Sequence, residues 1–262
     1  MKLFPFFCVL ALLSACSSSD STQTTGESTP ASPRKATVVF LDKSLSVNQN
    51  QAFVTAKYQR ILREVIQENI QRKGDRLEVY FVHENTAKAK ALELVSQSEL
   101  DDQESANATD REAAQTAYEL AIQKERLRFQ QQALAQLEAP NPSKSNQYTD
   151  LRASLWALND LAGEGYAVQA YYFSDMVESM PGSDRRDFHT TPPTSEQQAD
   201  EWARTDAAAL RDELPNLSNV VIRLVLPFEP TSSTVRNNPT VTRYWNTLFR
   251  ELGVTQTVKE LY

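Results

Sequence analysis

The sequence predicts an α/β fold in which a doubly wound, mostly parallel sheet carries helices on both faces. Two observations predict it: short apolar runs alternate with segments of helical periodicity from Ala36 onward, and two of the helical segments end at glycines just before the next apolar run. Such alternation is typical of parallel strands joined by crossover helices. The chain has 262 residues, enough to bury a core without disulfides. We therefore expect one domain over residues 36–262.

The N-terminal segment takes no part in this alternation. Residues 1–15 are predicted to be a signal peptide, because Lys2 precedes the apolar run LFPFFCVLALL. As a helix this run would span only ~16 Å, whereas the hydrocarbon of a bilayer is ~30 Å thick. We expect a cleaved leader and not a transmembrane anchor.

The segment around Cys16 indicates lipid attachment. Leu13-Ser14-Ala15-Cys16 resembles the lipobox of bacterial lipoproteins, which implies that cleavage leaves Cys16 as an acylated N-terminus. Several acyl chains on one residue hold a protein on a membrane. Ser17 is similar to the sorting pattern for the outer membrane of Gram-negative bacteria, so we expect a lipid-anchored cell-envelope protein. The polar residues 16–35 would then form a disordered tether.

Four apolar runs of the body are predicted to be strands. They are rich in Val, Leu, Ile, Tyr and Phe, as strands buried on both faces are. They lie at residues 37–41, 77–82, 167–173 and 220–226.

Helical patterns separate these strands. The first has its apolar stripe on residues such as Val54 and Tyr58 and ends before Gly74, a residue that suits a helix terminus. A second precedes Gly163. A third opens at Ser195, which begins a capping box, and runs through Leu214. The last opens at Asn238-Pro239, where an N-cap residue precedes a proline at the first helical position.

Residues 86–138 interrupt the alternation of strands and helices and are predicted to be a helical insertion. They are rich in Ala, Gln, Glu and Lys, and the capping box 109–112 would open a helix that runs to about Glu138. Leucines recur seven apart in it, but polar residues between them make a poor coiled-coil seam. We expect a mostly solvated helix at the edge of the sheet; a partner-binding arm is the alternative.

Composition excludes several classes of function. The chain carries 27 Lys and Arg against 34 Asp and Glu, a net charge of −7, which makes nucleic acid an unlikely partner by charge alone. Its two cysteines are Cys8 and Cys16, and it has only two histidines. A zinc cluster or an iron–sulfur site is therefore excluded from residues 36–262, and any metal there must have oxygen ligands.

An oxygen-rich motif follows the first predicted strand, at Asp42-Lys43-Ser44-Leu45-Ser46. In extended geometry alternate side chains point the same way, so the carboxylate and the two hydroxyls converge above the edge of the sheet. Mg²⁺ takes about six oxygen ligands at ~2.0–2.1 Å. The loop that contains Asp42, Ser44 and Ser46 would supply about half of the ligands of such a site. We expect the other half from loops at the carboxyl ends of neighbouring strands.

This motif and two later segments resemble the von Willebrand factor type A domain with its metal-ion-dependent adhesion site. That family carries Asp-x-Ser-x-Ser after its first strand, Thr-Asp-Leu at the opening of a later helix and Ser-Asp after its fourth strand. This chain has Thr149-Asp150-Leu151 and Ser174-Asp175 in the same order, and the resemblance covers about residues 36–252. It implies a metal site with hydroxyl ligands from Ser44, Ser46 and Thr149 and with Asp42 and Asp175 bound directly or through water.

The chain also departs from that family in three places. Gln147-Tyr148 replaces glycines before the threonine, Met176 stands where a glycine commonly follows the aspartate, and the insertion occupies the place of the short third strand. All five predicted ligands are present despite these changes.

The predicted function is metal-dependent binding of a protein, without catalysis or a small-molecule substrate. Two carboxylates balance the charge of Mg²⁺ or Mn²⁺, so the ion can accept one more anionic oxygen, from an Asp or Glu of the partner. Arg185 and Arg186 lie in a loop near the predicted site and are expected to contact that partner at its rim.

Two other functions stay open at this point. A phosphotransferase of the haloacid dehalogenase type also places an aspartate after its first strand and uses Mg²⁺, but it needs an acid two residues on, where this chain has Ser44. The second alternative is that the protein is a scaffold that binds its partner through the helical insertion and needs no metal. A serine hydrolase lacks support, because the sequence has no Gly-x-Ser-x-Gly motif.

Overall fold

The computed structural model of the protein describes residues 33–44, 46–47, 51–100, 107–143, 147–229 and 237–262. The predicted signal peptide, Cys16 and nearly all of the tether lie outside the described residues. Within these ranges, no helix has the length and apolar character needed to cross a membrane.

A six-stranded mixed sheet forms the centre of the described part of the chain, in the order β3-β2-β1-β4-β5-β6. All neighbouring strands are parallel except β2 and β3, which pair antiparallel. The strands are β1 (Lys35–Asp42), β2 (Arg76–Val82), β3 (Lys90–Val95), β4 (Ala167–Phe173), β5 (Val221–Leu224) and β6 (Lys259–Glu260).

Five helices cover both faces of the sheet within the described residues. They are α1 (Gln51–Asn69), α2 (Ala108–Glu138), α3 (Ser154–Gly163), α4 (Glu196–Leu210) and α5 (Pro239–Glu251). The buried side chains of α1 and α2 share one apolar cluster, and those of α3, α4 and α5 share the other. The predicted α/β class, with a mostly parallel sheet between helices, is confirmed.

Strand β1 is the centre of this fold. Seven of its eight residues are buried, and Val38 and Val39 belong to opposite apolar clusters. A strand buried on both faces needs a nearly continuous apolar run, which this segment has. Because the chain passes from β1 outward to β2 and later returns to β4 on its other side, the β1–β4 pair is the point where strand order reverses. Ligand sites of such sheets lie beyond the carboxyl ends of strands at this point.

Two predicted helix starts are confirmed and one is wrong. The Ser195 side chain accepts a hydrogen bond from the Gln198 amide, and Asn238 caps α5 ahead of its proline. Helix α2, however, is capped by Asn107, whose side chain accepts from the Asp110 amide at 2.9 Å. The predicted cap, Thr109, is instead the second residue of the helix, because Asn107 is an equally good cap in extended geometry and comes first.

The insertion is not helical throughout, in contrast to the prediction for residues 86–138. Residues 90–95 form β3, an edge strand paired with β2. Its sequence, KALELV, alternates in polarity, which suits a strand with one solvated face. Helix α2 follows and ends at Glu138, as predicted.

Helix α2 is mostly exposed but packs against the core along a narrow stripe. Ile122, Phe129 and Ala133 are buried in the same apolar cluster as α1. The leucines seven apart do not form this stripe, since Leu120 and Leu127 are 51% and 53% exposed. The buried positions are spaced by seven and four residues, which places them on a different face of the helix.

We predict that Phe129→Ala destabilises the whole domain, because it removes a fully buried ring that joins α2 to α1. The expected loss in the free energy of unfolding is ~3–5 kcal/mol, measured by urea denaturation. Leu127→Ala is the matched control, and we expect a change within ~0.5 kcal/mol at that exposed position. Equal effects of the two substitutions would contradict this packing of α2.

Candidate metal centre

The candidate site lies where β1 and β4 end side by side. Asp42 is the last residue of β1, and Ser174 directly follows β4. Leu41 pairs in register with Phe173, so the residues after each come out at the same edge of the sheet. The structure therefore brings together the first and third segments of the predicted motif.

Hydrogen bonds join these two segments. The Ser174 hydroxyl donates to Asp42 Oδ2 at 2.6 Å, and the Ser44 amide donates to Asp42 Oδ1 at 2.8 Å. The hydroxyls of Ser44 and Ser46 lie 3.0 Å apart, and Ser46 in turn hydrogen-bonds to the Asp175 carboxylate. Four of the five predicted ligands thus belong to one hydrogen-bonded group.

Both carboxylates of this group are buried. Asp42 is 5% exposed and Asp175 8%, and burial raises the pKa of each. The hydrogen bonds from Ser174 and Ser44 oppose the rise at Asp42, whereas the negative charge of Asp42 adds to the rise at Asp175. Among the described residues neither carboxylate forms a salt bridge with a lysine or arginine. Two acidic groups are therefore held close together, away from water, without a lysine or arginine partner from that part of the chain.

Thr149, the fifth predicted ligand, is fixed at the same edge by its backbone. Its amide and carbonyl both pair with Ser179 at 3.0 Å, in the loop that follows β4. The next amide, that of Asp150, donates to the carbonyl of His83, just after β2. Thr149 is 4% exposed and lies between the loops that follow β2 and β4.

A buried charge network supports this segment. Glu178 is fully buried, and its carboxylate accepts hydrogen bonds from the amides of Leu151 and Arg152 and from the Arg185 guanidinium. Arg185 also pairs with Asp150. Burial raises the pKa of Glu178 to about 7, although the positive charge of Arg185 opposes the rise. The network fixes the backbone that carries Thr149.

Acidic residues of this chain pair with Arg185 and Arg186, the two residues expected to contact a partner at the rim of the site. Arg186 binds Asp206 through two hydrogen bonds of 2.8 Å, and its guanidinium lies 4.7 Å from the centre of the Trp202 ring. Bidentate pairs of this kind hold a guanidinium in one orientation. Both arginines therefore act in the architecture of the loop after β4.

Met176 adopts the left-handed conformation that favours glycine. Its φ is 63°, which costs ~1–2 kcal/mol for a residue with a side chain. Its amide donates a hydrogen bond of 2.9 Å to the Ser174 hydroxyl oxygen, and its carbonyl accepts one of 2.7 Å from Trp245 Nε1. The methionine side chain is fully buried. The loop thus keeps the backbone shape expected of a glycine while filling the core.

Lys43 links the site loop to the end of α2. Its ammonium donates to the carbonyls of Leu137 and Ala139, and the Asn141 side chain donates to its carbonyl. Burial lowers the pKa of Lys43 to about 8, against the opposing charge of Glu138. A cation at the C-terminus of a helix binds carbonyls that lack helical partners.

A cleft of about 450 Å³ opens beside this link. It lies between the site loop, the first turns of α1 and the segment that ends α2. Its lining includes Asp42, Lys43, Val54, Tyr58, Leu137 and Asn141.

The donor set fits a hard divalent cation. Carboxylate and hydroxyl oxygens are the ligands that Mg²⁺ accepts, with water completing its shell. No group of three or more His, Cys, Asp or Glu suited to a metal occurs among the described residues, so the hydroxyls of this site are essential to any coordination. A cation between Asp42 and Asp175 would also offset the charge that their burial leaves uncompensated.

The sequence analysis did not place Ser174 among the ligands, and it missed two further residues that shape this site. Ser174 was part of the recognised pair, and a hydroxyl directly after a buried strand is the signal that marks it. Glu178 and Trp245 carry no comparable signal, because each acts on a segment distant in sequence.

Comparisons with known proteins identify no family. No family model and no curated protein matches the sequence. Chains of solved structures that match include proximal thread matrix protein 1 of the mussel byssus, at 10% identity and a TM-score of 0.36. The match covers 87% of this chain and 44% of that one, so this chain spans less than half the length of that protein.

We predict that the buried pair Asp42 and Asp175 contributes a loss of stability to the metal-free protein as pH rises from ~4 toward neutrality. The pKa values of Asp42 and Asp175 are raised by folding, so the folded state binds protons that the unfolded chain has released, and stability falls as they leave. Asp175→Asn should raise the free energy of unfolding at pH 8 in EDTA and flatten this dependence. Urea denaturation across pH measures both.

Asp200 provides a control for this prediction, because its contribution to stability changes with pH in the opposite direction. Hydrogen bonds from Arg243 lower the pKa of Asp200, so its contribution to stability is present at neutral pH and lost in acid. Asp200→Asn should therefore lower stability at pH 8. An unchanged pH slope in Asp175→Asn would contradict the buried pair.

Proposed function

We propose that this protein binds a protein partner through a divalent cation, Mg²⁺ or Mn²⁺, as the resemblance to von Willebrand factor type A domains implies. Asp42 and Asp175 would hold the ion together with Ser44, Ser46 and Thr149. The observation that carries the proposal is the pair of buried carboxylates, which forms no salt bridge with a lysine or arginine among the described residues and lies among hydroxyl groups.

Charge balance favours an acidic partner. Two carboxylates neutralise a divalent ion, and the hydroxyls add no charge, so an Asp or Glu from another protein can complete its shell. The buried carboxylate of the partner would be compensated by the ion and not left unpaired. The site therefore selects for an acidic side chain that protrudes from the partner surface.

The same proposal includes lipid anchoring at Cys16. The resemblance of residues 13–16 to a lipobox supports a mature protein displayed from the cell envelope, in the outer membrane of a Gram-negative bacterium. A tether over residues 17–35 would have a mean span of ~24 Å if flexible, enough to hold the domain clear of the lipid head groups.

The surroundings of Asp42 favour binding over phosphoryl transfer. A phosphotransferase of the haloacid dehalogenase type needs a proton donor two residues after its nucleophilic aspartate. Ser44 stands there, and its amide donates to Asp42 while its hydroxyl lies against that of Ser46. This position contributes to holding the carboxylate and offers no acid.

Titration calorimetry of the purified full chain with Mg²⁺ and Mn²⁺ tests the metal site. We expect binding to one site in the wild type and its loss in Asp42→Ala, because that substitution removes a ligand and leaves Asp175 alone. Asp200→Ala, which removes a carboxylate paired with Arg243, should bind the metal as the wild type does. Absence of uptake by the wild type would overturn the proposal.

Capture of proteins from membrane extracts on the immobilised chain tests whether partner binding depends on the metal. We expect retention of a protein in Mg²⁺ that is lost in EDTA and lost with Asp42→Ala. The same proteins retained under all three conditions would contradict metal-dependent binding and would favour a scaffold that binds through α2 or another surface.

A further inference from the structure

Tyr58 on α1 has a buried hydroxyl without a hydrogen-bond partner. The residue is 3% exposed, and its hydroxyl oxygen is one of the few buried side-chain atoms of the described residues that make no hydrogen bond. Buried polar groups are nearly always paired, and an exception calls for an explanation such as a missing water or ion.

The ring of Tyr58 is held in one position beside the candidate metal centre. It meets the ring of Phe173 edge to face, at 5.0 Å between centroids, and Phe173 directly precedes the Ser174-Asp175 pair. Tyr58 also shares the lining of the cleft with Asp42. Its hydroxyl is close enough to both carboxylates for their charges to raise its pKa, in addition to the rise caused by burial. The buried hydroxyl therefore belongs to a ring that lines the same cleft as Asp42 and packs against the strand end that leads to Asp175.

Packing alone does not explain this hydroxyl. A phenylalanine would make the same contact with Phe173 and the same contribution to the apolar cluster of α1, without an unsatisfied polar atom. Tyr171, by comparison, belongs to the same cluster, and its hydroxyl accepts a hydrogen bond from Asn69 at 2.9 Å. Among the residues that the structure describes, the hydroxyl of Tyr58 has no such partner.

We propose that Tyr58 is a positioning residue of the metal centre, whose hydroxyl hydrogen-bonds to a water molecule in the hydration shell of the bound cation. This inference rests on the proposed function. Mg²⁺ retains several waters when few protein ligands are available, and those waters are strong donors that need acceptors around the site. Such outer partners orient the ligands and contribute to metal affinity.

This role differs from a purely structural one in a way that can be measured. It predicts that Tyr58→Phe has opposite effects on the metal-free protein and on the protein with bound Mg²⁺. In the metal-free state Tyr58→Phe removes an unsatisfied group and should leave the melting temperature equal to or above that of the wild type. In the presence of Mg²⁺ the same substitution should weaken binding by ~10-fold or more.

Two measurements on the full chain test the proposal, with Mg²⁺ as the probe. Calorimetry gives the affinity of the wild type, Tyr58→Phe and Tyr171→Phe. Near-ultraviolet difference spectroscopy follows the tyrosine band, which shifts when a phenol gains a hydrogen bond. We expect a Mg²⁺-induced shift in the wild type and in Tyr171→Phe, and its loss in Tyr58→Phe together with the loss of affinity.

The outcomes separate the inference from the proposed function. If the wild type takes up no Mg²⁺, the proposed function fails and this role of Tyr58 fails with it. If the wild type binds Mg²⁺ and Tyr58→Phe binds equally well, the proposed function stands and the inference is overturned. A weaker affinity in Tyr171→Phe, equal to that in Tyr58→Phe, would also overturn it, because the effect would then arise from general loosening of the cluster.

Discussion

The hydrogen bond from the Ser174 hydroxyl to the Asp42 carboxylate joins the two halves of the candidate site. It depends on the register of β1 and β4, which places the ends of two neighbouring parallel strands side by side. A shift of one residue in that pairing would turn either side chain to the opposite face of the sheet. The apolar core that fixes the register thus also determines whether the site exists.

The candidate site lowers the stability of the fold, and the residues packed around it hold its geometry. Asp42 and Asp175 place two acidic groups out of water, and Met176 takes up a conformation unfavourable to its side chain. Hydrogen bonds from Trp245 and the network around Glu178 stabilise the loops that carry these residues. Proteins accept strain and buried charge of this kind mainly at functional sites, where the surrounding structure over-determines the geometry.

Periodic features were predictable from the sequence, whereas features set by tertiary contacts were not. Four of the six strands and the caps at Ser195 and Asn238 follow from local patterns, and so does the convergence of hydroxyl oxygens after β1. Strand β3 was missed because its short alternating run lies in a helix-rich segment. Tyr58 belongs to an ordinary apolar stripe of α1, and only the fold shows that it lines the same cleft as Asp42.

The link between Lys43 and the end of α2 makes the site loop and that helix a single mechanical unit. Helix α2 has 31 residues, which corresponds to a rod of ~46 Å, and Lys43 lies between two of the proposed ligands. A displacement of the C-terminal end of α2 would therefore disturb the hydrogen bonds that Lys43 makes there. If a ligand of α2 changes the affinity of the loop for its own ligand, thermodynamic reciprocity requires that the ligand of the loop change the affinity of α2 by the same factor.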